Sequence, residues 1–139
     1  MKLLLSTFLS LLFAGTIAAQ SIEGIYKTID DATNEPKSHI KIYEKDGMYY
    51  GRVVKLLPAA TTDKCIDCPG DKNGALLTDI DIVWDMKPYK DYWSYGHIVD
   101  PANGKVYKCN IWLEGQDLKV RGYIGVSVLG RTQTWHRVE

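Results

Sequence analysis

Two cysteines three positions apart, Cys65 and Cys68, have the spacing in this chain that most directly suggests chemistry. Such a pair can be a redox-active dithiol, half of a zinc site or a structural disulfide. Thioredoxin-type redox chemistry needs a βαβ context that the neighbouring sequence lacks, and zinc would need two more ligands. The other cysteine and histidine residues are scattered, so we expect no metal site. They are Cys109, His39, His97 and His136.

The carboxylates give a weaker indication of catalysis. Asp79, Asp81 and Asp85 share one face of an alternating segment, which is typical of a solvated strand face. The acidic residues 30–35 lack the spacing and central glycine of a calcium loop. The sequence also contains no nucleophile elbow, phosphate loop or paired-histidine motif. We therefore assign no catalytic residue and no cofactor, and a hydrolase or redox enzyme is the third hypothesis after two non-enzymatic ones.

Aromatic residues favour a binding function. The four Trp and nine Tyr supply rigid, amphipathic surface whose polar atoms need partners when they are buried. One face of the last predicted strand mixes two arginines, a glutamine and a tryptophan, which suits either a polar outer stripe or the wet end of a pocket. For any one aromatic, the simpler interpretation is that it fills the core. The predicted ligand-contacting residues are Trp84, Tyr107, Trp135, Arg131 and Arg137.

The first residues predict the compartment. A basic start is followed by an apolar run over residues 3–17 and then by the small residues Ala18 and Ala19, which is the layout of a secretory signal peptide. The run is short for a membrane span, so we expect cleavage near Ala18 or Ala19 and no stable membrane insertion. The signal peptide would comprise residues 1–19, and the protein would be periplasmic or extracellular.

Residues 20–139 then form a single predicted domain of about 120 residues, enough for one packed core. In an oxidising compartment a Cys65–Cys68 disulfide becomes the preferred interpretation, and it would tether the long connection over residues 58–78. The 17 basic and 17 acidic residues balance, and they form no basic cluster, so we expect no nucleic-acid partner. The candidate partners are a small apolar ligand and an envelope protein.

Eight segments with strand patterning must position these residues, and turn signals such as Asp46-Gly47 separate them. Eight antiparallel strands in sequence order favour an all-β, up-and-down barrel because closure removes unpaired edges. A two-sheet β-sandwich is the alternative. An eight-stranded barrel is either filled by side chains or just wide enough for one small ligand. The predicted strands are residues 22–28, 38–44, 48–57, 79–86, 92–99, 106–113, 118–126 and 131–138.

Spaced motifs run through the whole predicted domain. They are Asp46-Gly47-x-Tyr49-x-Gly51, Cys65-x-x-Cys68, Gly96 with Asp100-Pro101, Asn103-Gly104-Lys105-x-Tyr107, Leu118-x-Val120-Arg121-Gly122-Tyr123-x-Gly125 and Gly130-Arg131-x-Gln133-x-Trp135-x-Arg137. Together they resemble the family called DUF2147. The resemblance implies a small exported bacterial protein with a lipocalin-like β-barrel and an uncharacterised function. It carries over no catalytic residues.

Two positions depart from that family pattern. Tyr26 stands where a tryptophan is usual after Gly24, and Tyr95 stands where a glycine is usual. The Gly24-x-Tyr26 start is also similar to the lipocalin signature, in which an arginine near the last strand caps the closed end of the barrel over that aromatic. Arg131 and Arg137 are the candidates for that arginine, and an ordinary surface position is the alternative for each.

Overall fold

The computed structural model of the chain describes residues 10–12, 21–126 and 130–139. The predicted signal peptide lies outside this part of the chain, apart from residues 10–12. Across the described residues, no helix has the length and apolar character needed to cross a membrane. Among these residues, regular structure begins at Gly24 and is almost entirely β.

Eight strands form where β-branched and aromatic residues alternate with polar ones. Each strand pairs antiparallel with the next in sequence, and the last pairs with the first, so the sheet closes into a barrel. This confirms the predicted eight-stranded up-and-down barrel over the two-sheet sandwich. The strands are β1 (Gly24–Ile29), β2 (Pro36–Lys45), β3 (Met48–Leu56), β4 (Asp81–Tyr89), β5 (Tyr92–Val99), β6 (Val106–Glu114), β7 (Asp117–Tyr123) and β8 (Arg131–Arg137).

The two ends of the barrel differ in the length of their connections. Two-residue turns join β2 to β3, β4 to β5 and β6 to β7, and positive φ values at Asp46, Gly47 and Lys90 suit such tight hairpins. Longer connections join β1 to β2, β3 to β4, β5 to β6 and β7 to β8. Because alternate connections of an up-and-down barrel fall at the same end, the tight turns form a closed end and the longer connections surround a mouth.

Large side chains fill the half of the barrel nearest the closed end. Tyr26, Ile42, Met86, Ile111 and Leu118 point inward there, and none is more than 1% exposed. Burial of such side chains is the main favourable term in the folding of a single domain. The closed half is therefore a solid core, and open volume can exist only towards the mouth.

The alternation predicted for the fourth strand does not hold along its whole length. Val83 is fully buried, Trp84 is half-buried on the outside, and Asp85 is exposed with a φ of 57°. The pairing with β3 also shifts register on either side of Gly51. Such irregularities change the face on which the following side chains point. Trp84 therefore does not lie on the inner face, where the predicted alternation with Asp81 and Asp85 on the outer face would have placed it.

The seam between β1 and β8 is paired near the closed end. Among the described residues, Tyr26 pairs with Arg137 and Lys27 pairs with His136. Towards the mouth the two strands are linked by side chains instead, since Asp31, just after β1, accepts a hydrogen bond from Gln133 at 2.8 Å. The barrel wall is thus split beside its mouth.

Candidate ligand-binding site

A cavity of about 690 Å³ opens at the mouth of the barrel. All eight strands contribute to its wall, and the longer connections form its rim. Its volume falls within the range of about 300–1,000 Å³ that is usual for small-molecule sites. The apolar part of the wall consists of Ile40, Val53, Leu56, Leu77, Ile82, Ile98, Val99, Tyr107, Val120 and Trp135.

The cavity has room because several inner positions near the mouth carry small side chains between the larger ones. Thr28, Ser38, Val53 and Gly122 face the interior here, whereas the closed half has Tyr26 and other large residues. Side chains of this size do not meet across a barrel of eight strands, so volume remains between them. The taper from large to small residues thus sets both the floor and the depth of the cavity.

The wall carries a small number of neutral polar groups. The hydroxyls of Thr28 and Ser38 lie 2.7 Å apart, and each residue is 6% exposed. Gln133 accepts a hydrogen bond from the indole nitrogen of Trp135 at 3.2 Å through its side-chain oxygen. A few placed polar groups on an apolar wall are typical of sites that orient a small ligand.

Charged residues of the cavity lie at its rim, and four of the five that the structure describes form ion pairs there. A nitrogen of Arg131 lies 3.1 Å from a carboxylate oxygen of Asp31, and the Lys37 amine lies 3.8 Å from Asp30. Hydrogen bonds from the backbone and hydroxyl of Thr33, followed by the charge of Lys37, lower the pKa of Asp30 below its usual value. The rim therefore holds both of these cations and two of its three described aspartates in local ion pairs.

Three of the five residues predicted to contact a ligand line this cavity: Tyr107, Trp135 and Arg131. Trp84 does not line it. Its ring stacks on His97 outside the barrel, with 5.8 Å between ring centroids, and the Lys72 amine lies 4.8 Å from the indole centroid. Whether any of the five contacts a ligand stays a prediction.

Arg137 lies at the opposite end of the barrel from Arg131. Its guanidinium donates a hydrogen bond of 2.6 Å to the hydroxyl of Tyr26 and lies 4.9 Å from the centre of that ring. It also donates to the carbonyls of Gln116, Glu23 and Ser21 at 3.0–3.2 Å. Burial raises the pKa of Tyr26, which stays a neutral partner. Of the two candidate arginines, Arg137 is thus the one that packs over Tyr26 at the closed end.

The predicted disulfide between Cys65 and Cys68 is present. Both residues are buried, at 0% and 5% exposure. The segment that the disulfide closes docks on the β5–β6 connection, where the backbone nitrogen of Ile66 donates to the carbonyl of Pro101 at 2.9 Å. The disulfide therefore fixes the longest connection of the mouth, residues 57–80, to its neighbour.

The third cysteine, Cys109, is buried inside the barrel and is 1% exposed. Burial raises the pKa of its thiol to about 12, and a protonated thiol is a poor nucleophile and metal ligand. In the described part of the chain, no group of three or more histidine, cysteine or acidic residues is placed to hold a metal ion.

The sequence analysis did not identify the hydroxyl pair of Thr28 and Ser38. It also left open whether Gln133 faces the solvent or the interior of the barrel. Ser38 does begin an alternating series with Ile40 and Ile42, and that series indicates that it faces inward. Its contact with Thr28 depends on the register of β1 against β2, where the two residues are directly opposite. Register across the six-residue connection between β1 and β2 was not predictable from the turn residues alone.

Comparison with known proteins agrees with this geometry. A family profile described as "Uncharacterized protein conserved in bacteria (DUF2147)" matches residues 24–137. A solved structure described as "Protein HP1028 from the human pathogen Helicobacter pylori belongs to the lipocalin family" is similar with a TM-score of 0.73 and 20% sequence identity, over 86% of this chain and 84% of that chain. That likeness shows the fold alone. No curated protein matches the chain.

Proposed function

Since the chain belongs to the DUF2147 family of bacterial proteins, whose function is uncharacterised, we propose from its own cavity that it binds a small apolar or amphipathic molecule without catalysis. The observation that carries this proposal is the open volume of about 690 Å³ behind a mouth ringed by charged residues. A barrel serving only as a scaffold would gain stability by filling that space, because interiors are otherwise close-packed.

The wall indicates how a ligand would lie. Apolar side chains such as Ile40 and Val120 surround the lower part of the cavity, and Trp135 closes one side of it. An apolar body would displace water from these surfaces, at about 25 cal/mol for each Å² buried. A polar end would reach the rim, where Arg131 lies. Export to the periplasm or cell exterior forms part of the proposal and rests on the leader-like residues 1–19.

The placement of ionisable groups supports binding over catalysis. Among the described lining residues, the carboxylates, Lys37 and Arg131 lie at the rim. A hydrolase would need such groups to converge beside a substrate, and a redox enzyme would need an accessible dithiol. The bonded cysteines are buried, and the thiol of Cys109 is protonated at neutral pH.

Native mass spectrometry of protein purified gently from its own host tests the proposal. We expect a stoichiometric apolar molecule to accompany the barrel, and solvent extraction would identify it. A Val120→Phe variant should lose the molecule because the new ring occupies the cavity, while Val54→Phe, at a 44% exposed position, should keep it. An empty barrel that also fails to bind apolar probes would overturn the proposal.

A second candidate, an interaction protein of the cell envelope, is favoured by one surface feature. The rings of Tyr89, Tyr92 and Tyr95 cluster around the β4–β5 hairpin, with centroids 5.4 and 5.5 Å from that of Tyr89. Tyr95 is 62% exposed. Exposed aromatic clusters are common at protein interfaces. Crosslinking in whole cells through a photoreactive residue at position 95 tests it. A partner protein recovered with this probe alone but lost when Tyr89→Ala is added would support it.

A further inference from the structure

We propose that the ligand of this cavity is uncharged and carries a hydroxyl or carbonyl group that hydrogen-bonds to the Thr28–Ser38 pair. This inference rests on the proposed binding function and names its ligand class. It depends on the hydroxyl pair on the wall, the absence of charged groups below the rim, and the pairing of charges at the rim.

The hydroxyl pair has unused hydrogen-bonding capacity. One hydrogen bond of 2.7 Å joins the Thr28 and Ser38 hydroxyls, and either can be the donor. When Ser38 is the donor in that bond, the Thr28 hydroxyl can donate only to the Ser38 carbonyl, at a long distance of 3.5 Å. Two hydroxyls together offer four acceptor lone pairs, of which the mutual bond uses one. The pair can therefore accept from a ligand hydroxyl or donate to a ligand carbonyl.

Below the rim, the described lining residues include no Asp, Glu, Lys, Arg or His. An ionised group moved from water into such a wall loses its hydration without gaining a partner of opposite charge. The cost is several kcal/mol for each ion, far more than for a hydroxyl that finds a hydrogen bond. A carboxylate or ammonium group is therefore not expected beside the Thr28–Ser38 pair.

The rim does not favour a carboxylate head either. Its lining residues include three aspartates, Asp30, Asp31 and Asp100, against the two cations Lys37 and Arg131. Both cations already contact a carboxylate, so their charge is partly neutralised and an anionic ligand would compete with Asp30 or Asp31 for them. The Asp100 carboxylate accepts a hydrogen bond of 2.9 Å within its own turn. An uncharged molecule avoids this competition.

Three probes with the same alkyl chain test the inference: decan-1-ol, decanoate and decylamine, each below its aggregation limit at neutral pH. Binding is read by the change in tryptophan fluorescence and by native mass spectrometry. We expect decan-1-ol to bind at least tenfold more tightly than either ion. Equal or tighter binding of an ion would overturn this inference and leave the binding function standing. Failure of all three, with no host molecule bound, would overturn both.

The role of the hydroxyl pair is tested by Thr28→Val, which keeps the shape of the side chain and removes its hydroxyl. We expect roughly tenfold weaker binding of decan-1-ol, the loss typical of one hydrogen bond. Thr78→Val, at an exposed threonine outside the cavity, is the matched control and should bind as wild type does. If Thr28→Val misfolds, Ser38→Ala provides the same comparison. Unchanged affinity in a folded variant of either residue would exclude the pair as the polar contact.

Discussion

Two arginines of the last strand show how position decides what a side chain does. Arg131 and Arg137 lie on the same face of β8, and the sequence offered no means to choose between them as the residue that caps the barrel. Arg131 lies at the mouth with its side chain 73% exposed. Arg137 lies at the closed end, where one guanidinium contacts Tyr26 and three backbone carbonyls. The difference follows from the end of the barrel that each residue reaches.

Replacing Arg137 by methionine should lower the free energy of unfolding by about 2–3 kcal/mol, because hydrogen bonds to a charged group each contribute about 1.5–3 kcal/mol and are not additive. Arg131→Met should change it by less than about 1 kcal/mol, as is usual for exposed ion pairs. Urea unfolding followed by tryptophan fluorescence measures both. Equal losses in the two variants would contradict the assignment of Arg137 as the cap.

At the scale of the elements, the sequence predicted where the strands lie better than which way their side chains face. The bounds of β3, β5, β6 and β8 differ from the predicted ones by one residue or less at each end. The inner face was misassigned at Trp84 because Asp85 adopts a φ of 57°. A periodic pattern of apolar residues assumes an unbroken ladder, so it cannot locate a bulge.

Tyr95 marks a similar irregularity in β5, with a φ of 66° and a shift of register between Trp93 and Gly96. A glycine is usual here in the family pattern, and the positive φ gives the physical reason. Tyr95→Gly and Tyr95→Ala both remove the exposed ring, but only glycine relieves the left-handed strain. We expect the glycine variant to be more stable in thermal unfolding by about 1 kcal/mol. An alanine variant of equal or higher stability would show that the bulge carries no strain.

The disulfide segment depends on a close approach at Gly104. A β-carbon there would collide with the carbonyl of Asp67, and the residue has a φ of 75°. Gly47→Ala provides a control, because Gly47 has a φ of 80° and open space around it. Both changes impose strain of about 1–2 kcal/mol, and Gly104→Ala should cost a further 1–3 kcal/mol from overpacking. Urea unfolding measures this difference, and equal costs would argue against tight docking of residues 57–80.

For the whole molecule, the topology was predictable and the cavity was not. Eight short strands in sequence order have few ways to remove their edges, and closure is the simplest. Whether a barrel is solid depends on pairs of side chains that face each other across it, such as those of Val53 and Val120, and on the register of every ladder. One sequence does not specify those distances, so the sequence could suggest a ligand but only the structure could show that a cavity exists.

The split beside the mouth predicts uneven protection from hydrogen exchange. The β2–β3 ladder runs from Ser38 opposite Leu56 to Lys45 opposite Met48, whereas the β1–β8 register covers Tyr26 and Lys27. We expect amides of β8 that face β1 near the mouth to exchange faster than those of β2 and β3 in NMR measurements, since local opening follows missing backbone pairing. Asp31→Ala should accelerate them further without affecting the β2–β3 ladder. Uniform protection around the barrel would contradict this split.

The separation between a capped end and an open mouth has a consequence for evolution. Substitutions in the connections around the mouth change the rim without touching the contacts of Arg137, and loops of this kind tolerate change more readily than the strands they join. On the proposed binding function, selection could alter which molecule is bound while the determinants of closure stay constant. Chains that share one barrel would then diverge in ligand long before they diverge in shape.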